Sequence, residues 1–347
     1  MAVPLPPVGA VVAWRPLTHE DSAELGDLLA RSCAADGHRD DSLTPDQVAW
    51  RLHDPGSDLA RDSRAGLDAA GRIIAAGWVW CRPAPVRAGR AVLSFDVDPT
   101  ARGQGIGSAL LGWLEARAME RFAEELERGS ARRIDVYAAG LDSGRGRLAV
   151  RAGYRPLRWF VRMTRPIAAD LADRRELPAG LSATPWGQRL DEATRDACND
   201  SFRDHFGFEP IPSIAWRHRI SGDPRFLPEQ SRLAIVGDLV VGFVLCLRGG
   251  GAGDTLAGPS AWLDSIGVRR GWRRMGVASA LIARSLTALG EAGFRTALLE
   301  VDAESPTGAL GLYERHGFRA VHREVILARE LPAAGTTPAA SPRAAGP

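Results

Sequence analysis

"SIGVRRGWRRMGVASALIARSL", residues 265–286, runs from a short apolar stretch through four arginines broken by glycine and tryptophan into an apolar pattern of helical spacing. A weaker version stands upstream as "SFDVDPTARGQGIGSALLGWL", residues 94–114. Val97, Arg102, Gly105, Gly107 and Leu110 of that stretch recur 171 positions later as Val268, Arg273, Gly276, Ala278 and Leu281. Around them "AAGWVWC" (75–81) answers "VVGFVLC" (240–246), and "LAVRAGY" (148–154) answers "LYERHGF" (312–318). Matched segments in one order indicate a duplicated domain rather than a chance glycine motif.

The length of 347 residues agrees, since it exceeds the usual single core. The first copy is expected over 11–166 and the second over 181–330, with a short polar linker at 167–180 closed by Pro178 and Gly180. The Pro-, Ala- and Gly-rich tail 331–347 lacks a periodic apolar face and is expected to be disordered. Within the second copy, "SRLAIVGDLVVGFVLCL" (231–247) predicts two antiparallel strands turned at Gly237-Asp238. After a Gly-rich loop come a strand in "AWLDSIGV" (261–268), a helix over Val277–Leu289 ending before Gly290, and a strand in "TALLEVDAE" (296–304). A short helix stopped by Gly317 and a last strand, "AVHREVILA" (320–328), complete it. The expected class is α+β, each copy a mixed, mostly antiparallel sheet with helices on both faces.

Composition narrows the chemistry. All 44 basic residues are arginine, which excludes lysine nucleophiles, Schiff bases and Walker-type phosphate loops, and matches a GC-rich coding sequence. A net charge of +2 gives no reason to expect a nucleic-acid partner or a membrane surface. Cys33, Cys81, Cys198 and Cys246 are widely spaced, with no C-x-x-C pair, so neither a metal site nor a disulfide framework is indicated. Reduced cysteines, no signal-like N-terminus and no long apolar run predict a cytoplasmic protein, monomer or homodimer.

At the strand-to-helix junction both copies read Arg-x-x-Gly-x-Gly/Ala. Glycines there let successive backbone N–H groups converge, and the helix N-terminus adds partial positive charge, so the turn suits a pyrophosphate. Flanking arginines add charge-assisted hydrogen bonds. A dinucleotide fingerprint would instead follow the first strand of a βαβ unit, whereas this loop follows the third or fourth strand of each copy.

These residues resemble the signature of the GCN5-related N-acetyltransferase (GNAT) superfamily, Val-x-x-x-x-Arg-x-x-Gly-x-Gly/Ala with a later Leu-Tyr-x-x-x-Gly-Phe, over nearly all of both copies. The tandem form is similar to the mycothiol synthases and other actinobacterial double-domain acyltransferases. The resemblance implies acyl transfer from acetyl-CoA, or another acyl-CoA, to an amine. It assigns Ile266, Val268, Arg273, Arg274, Met275, Gly276, Val277, Ala278, Ser279 and Ser305 to the coenzyme in the second copy, Ser305 standing where the family usually has Asn. Val97, Arg102, Gly103, Gln104, Gly105, Ile106, Gly107 and Ser108 form a second candidate site, which either holds coenzyme A without turnover or survives as packing.

The same resemblance makes Tyr313 the acid that protonates the leaving thiolate, against the bland reading that it packs its helix. The first copy has Ala149 there, so the second is expected to be catalytic. The family's strand Glu is Trp262 here; Asp264, two residues on and so on the same strand face, is one candidate base, with a salt-bridged structural acid as its alternative. His205 in "SFRDHFGFEP" is the other, unless it is simply structural. Phe206, Phe208, Trp216 and Trp262 either shape an acceptor pocket or belong to the core. The expectation is acetylation of a small-molecule amine by direct attack, with no metal; the alternatives are a longer-chain acyltransferase acting on an antibiotic or amino sugar, and a non-catalytic acyl-CoA sensor.

Overall fold

A computed structural model describes residues 5–37, 43–81, 89–125, 130–167, 176–249, 258–305 and 308–331. Most of the expected linker, the Gly-rich loop and the tail lie outside them. In chain order the elements are β1 (Ala13–Arg15), α1 (Ser22–Ala35), α2 (Pro45–Leu52), α3 (Leu59–Asp62), β2 (Ser63–Leu67), β3 (Ile73–Cys81), β4 (Gly89–Val97), α4 (Ile106–Glu125), β5 (Arg132–Ala138), α5 (Gly144–Arg151) and β6 (Arg155–Pro166). Then follow β7 (Ser182–Pro185), α6 (Asp191–Ser201), α7 (Ser213–Trp216), β8 (Arg232–Val236), β9 (Leu239–Arg248), β10 (Ser260–Val268), α8 (Val277–Glu291), β11 (Thr296–Asp302), α9 (Ala309–Arg315) and β12 (Arg319–Leu331). A π-helical turn, Arg217–Ser221, continues α7.

The chain forms two compact units: Met1–Thr18, Gly56–Leu157 and Ile326–Pro347 in one, His19–Pro55 and Arg158–Val325 in the other. They do not follow the halves of the sequence. Helices α1 and α2 and most of β6, all read as part of the first copy, belong to the second unit. The reason is contact that periodicity does not encode. Trp50 of α2 stacks on His218 at 4.7 Å and donates its indole N–H to the His218 carbonyl, while β6 pairs antiparallel with β11 from Thr296↔Pro166 to Asp302↔Phe160.

Strands of the first unit follow in the order β1-β2-β3-β4-β5, and those of the second in the order β6-β11-β10-β9-β8-β7. Only β4/β5 and β10/β11 are parallel in these runs, as expected of a mixed, mostly antiparallel sheet. Alternation along β9 sends Val241, Val244 and Cys246 to one core with α8 and α9, and Val240, Phe243 and Leu245 to another with α6 and α7. Helices therefore cover both faces of the second sheet. The hairpin turns at Gly237-Asp238, with Gly237 at φ +56°. Helix α8 runs past its expected end: Gly290 sits inside it, and the left-handed stop is Gly293 at φ +87°.

One matched pair in the repeat has a packing cause. A Cβ on Gly242 of β9 would meet Val277 Cγ1 of α8 at 2.8 Å, and one on its counterpart Gly77 would meet Leu114 of α4 at 2.9 Å. In each unit the missing side chain lets the helix behind the glycine-arginine loop lie close on the sheet. Gly242→Val should lower stability by about 1–3 kcal/mol through overpacking, read as a reduced denaturation midpoint. An unchanged midpoint would deny the close approach.

Candidate active site

In the second unit, β10 and β11 pair only over Ser260–Trp262 and Thr296–Leu298. Beyond that, β10 continues on β9 as far as Val268↔Gly242 and β11 continues on β6. The two parallel strands therefore part, which frees backbone groups on their facing edges for a ligand. Ile266 and Val268 lie on this free stretch of β10, their side chains packed against the core shared with α8. Register shifts between Leu263 and Ser265, so Asp264 is the bulged residue where the parting begins.

The loop after β10 is shaped by its own arginines. Arg273 donates from Nε to the Val268 carbonyl (3.1 Å), from a terminal nitrogen to the Ser201 carbonyl (2.7 Å), and pairs with Asp204 (3.1 Å). Arg270 also pairs with Asp204, and Arg269 donates to the Val240 carbonyl and faces Asp200. The signature arginine thus stitches the turn to its strand instead of offering its charge to a phosphate. Arg102 repeats the bond in the first unit, with Nε 3.2 Å from the Val97 carbonyl. Arg274 differs: it is exposed, sits at φ +61°, and has no hydrogen-bond or ion-pair partner among the described residues.

Helix α8 begins at Val277 without a side-chain cap, its N-cap Gly276 held at φ +86° with open space where a Cβ would be. Its first-turn N–H groups thus converge on a vacant surface with Arg274 beside them, an arrangement that fits a pyrophosphate. Met275 is 49% exposed, whereas Val277 is buried and contributes only its backbone. Ala278 is half-buried. The Ser279 hydroxyl is 2.6 Å from His316 Nε2, which leaves its N–H as the group to offer. Ser305 lies in the turn after β11, its N–H on the Asp302 carbonyl. Gly276→Val should weaken coenzyme A binding about tenfold in calorimetry, since a branched residue strains the left-handed turn and fills the cradle.

Two acids border the parting. Asp264 and Glu300 of β11 keep surface open to solvent yet are enclosed deeply enough that burial raises both carboxyls, Glu300 to about 7. Glu324 adds to the Glu300 shift and Arg162, opposite it in the β6 register, opposes it. Arg162 in turn binds Glu324 at 3.0 Å and lies over the Trp262 ring at 5.1 Å. Ser265 Oγ donates to Asp264 at 2.8 Å. Tyr313 of α9 packs with Leu299 and Val301. Its ring is buried, its hydroxyl has no protein partner among the described residues, and burial pushes the phenol up to about 12.

The remaining expected residues separate. His205 lies in the turn after α6, edge-on to Phe202 at 4.5 Å, and burial lowers its pKa. Phe206 is 40% exposed beneath Arg158, which also pairs with Asp302. Phe208 is half-buried in the same turn. Trp216 is core: it is fully buried, and its indole N–H donates to Asp191 at 2.6 Å, leaving no face for a substrate. Glu300 and Arg162 were missed: Glu300 is an acid flanked by Leu299 and Val301, which is a readable signal, whereas Arg162 is one of four arginines along β6 and does not stand out.

The first unit keeps Gly103 and Gly105 at φ +82° and +83° before α4. Ile106 is buried, Gly107 lies against Leu148, and Ser108 is exposed in the first turn. A Cβ on Gly9 would meet Gln104 Cβ at 2.6 Å, so Gly9 rests on one flank of this loop. Ala149 is fully buried where the second unit has its phenol. Among the described residues, no group of three or more His, Cys, Asp or Glu could hold a metal ion, and no helix is long and apolar enough to cross a membrane.

Parted parallel strands, a bulge at their fork and a glycine-arginine turn leading into an uncapped helix define an acyl-CoA-dependent transferase. Residues 29–141 and 192–318 match the acetyltransferase (GNAT) family, and the chain belongs to it as a tandem N-acetyltransferase; the family's cosubstrate is acetyl-CoA. Its sequence is 30% identical over 248 residues to a mycothiol acetyltransferase of Frankia casuarinae, spanning 69% of this chain and 68% of that one. A GCN5-related N-acetyltransferase from Sphaerobacter thermophilus superposes with a TM-score of 0.67 at 28% identity, covering 92% of this chain and 96% of the other. A tandem GNAT protein from the clavulanic acid biosynthesis pathway shares the fold, with a TM-score of 0.65 at 17% identity over 94% and 99% of the two chains.

Proposed function

We propose that the second unit acetylates the amine of a small molecule by direct attack on the thioester of acetyl-CoA. The carrying observation is the parting of β10 and β11, with Asp264 at its bulge and Glu300 just beyond the last paired residue of β11; burial raises Glu300 to about 7 and pushes the Tyr313 phenol up, so that one can take a proton and the other give it. Glu300 takes the proton from the incoming ammonium, and Asp264 at the bulge holds that ammonium by charge. The freed backbone of Ser265–Val268 aligns the thioester, and Arg274 with the first N–H groups of α8 fixes the pyrophosphate. Tyr313 gives its proton to the departing thiolate, and the second proton shed by the nitrogen as the amide forms restores the phenol. Each residue acts by proximity or proton transfer, so no protein nucleophile is needed. The first unit lacks the phenol and is non-catalytic. The mycothiol acetyltransferase relative supports a small-molecule acceptor. Thiol release from acetyl-CoA against a panel of amino sugars, amino acids and polyamines tests the reading; protein that binds coenzyme A yet releases no thiol with any of them contradicts it.

A further inference from the structure

The first unit keeps the glycine turn but has a different fork. Strands β4 and β5 pair in parallel from Gly89↔Arg132 to Leu93↔Val136, and β4 then continues on β3 as far as Val97↔Ala75. By the 171-position repeat Leu93 stands where the second unit has Asp264, so this pairing runs two residues beyond the counterpart of Trp262↔Leu298, where β10 and β11 part. Past Leu93 one side chain bridges both edges. Arg145, in the first turn of α5, donates from Nε to the Phe95 carbonyl of β4 (3.0 Å) and from a terminal nitrogen to the Tyr137 carbonyl of β5 (3.0 Å). Its other terminal nitrogen meets Asp96, a buried acid of β4, at 2.6 Å. The guanidinium also lies 5.7 Å from the centre of the Phe95 ring. Three bonds from one planar group fix it across the gap.

The counterparts in the second unit cannot build this bridge. Arg145 stands four residues before Ala149, and four residues before Tyr313 is Ala309, whose side chain ends at Cβ. Asp96 corresponds to Gly267, and Phe95 to Ile266 on the free stretch of β10. A pantetheine arm carries amides that need backbone partners along such edges. In the first unit a carbonyl on each edge is already bound to Arg145, and the guanidinium fills the space between them. The glycine turn is not the obstacle, since a Cβ on Gly103 would meet open space.

We propose that Arg145 is a built-in substitute for the pantetheine arm: it closes the first fork, so that the first unit excludes acyl-CoA and the chain binds one equivalent, in the second unit. The proposal rests on the acetyltransferase reading of the second unit and adds to it the stoichiometry and the residue that sets it.

Calorimetric titration of the full chain with coenzyme A should show one equivalent bound. Gly276→Val should weaken that equivalent about tenfold and leave none at wild-type affinity. Arg145→Ala alone leaves Asp96 buried without its cation and should lower the denaturation midpoint. Arg145→Ala combined with Asp96→Gly copies Ala309 and Gly267 and removes that cost. The double variant should admit a second, weaker equivalent while thiol release by the second unit keeps its wild-type kcat. Two equivalents in the wild type, or one that keeps wild-type affinity in the Gly276→Val protein, overturns the proposal even if neither Arg145 variant folds. A double variant with wild-type kcat that still binds a single equivalent also overturns it. No binding at all overturns both the proposal and the acetyltransferase reading. One equivalent bound without thiol release from acetyl-CoA and any amine overturns that reading and leaves the role of Arg145 standing.

Discussion

Replacing Glu300 by Gln should lower kcat/KM by about a hundredfold or more, the range a positioned general base supplies. The pH profile is the sharper readout. Only the carboxylate accepts a proton, so wild-type kcat/KM should climb with pH through about 7, where Glu300 titrates, and Glu300→Gln should erase that limb. Stability should move in the opposite sense. A carboxyl whose folded pKa is raised holds its proton more tightly in the folded state than in the unfolded chain. Its contribution is thus full below the unfolded value and is lost as pH rises through about 7. Gln carries no charge at any pH, so the variant should lose less stability than wild type between pH 5 and pH 8, roughly the window spanned by the unfolded and folded carboxyl. If the profile keeps its limb without Glu300, the proton goes elsewhere and Asp264 becomes the group to replace.

Tyr313→Phe isolates one oxygen. The hydroxyl has no protein partner among the described residues and the ring stays in its core, edge-on to Phe318. The substitution should therefore leave the denaturation midpoint nearly unchanged and lower kcat by about a hundredfold, with coenzyme A affinity preserved. Because Ala149 occupies the matching place in the first unit, no second phenol there can sustain turnover. Wild-type kcat in the variant would remove Tyr313 from the mechanism, and a large fall in midpoint would mark it as structural.

The two acids illustrate what a linear reading can and cannot weigh. Asp264 was visible as an acid on a half-buried strand, but its importance came from the bulge at the fork of β10 and β11, a register feature with no local code. Glu300 stood openly in "TALLEVD", between Leu299 and Val301. Its place between two apolar residues was legible; its shift was not, because that depends first on burial in the folded chain and then on Glu324 and Arg162, which stand 24 positions after it and 138 before it. Arg273 shows the converse. Its motif position suggested a phosphate ligand, and only the carbonyls of Val268 and Ser201 reveal a residue that holds the turn in shape.

By itself the sequence determined the duplication, the mixed α+β class, the glycine-arginine turn in each copy and the difference between Tyr313 and Ala149, because each is carried by residue type and spacing within a short window. Tertiary structure alone decided which compact unit each segment joins. Helices α1 and α2 leave the first copy for the second unit, where Trp50 meets His218, and β6 runs into that unit beside β11. A strand's alternation states which face is apolar and never which neighbour it pairs with, and a helix's stripe does not name the sheet it will cover.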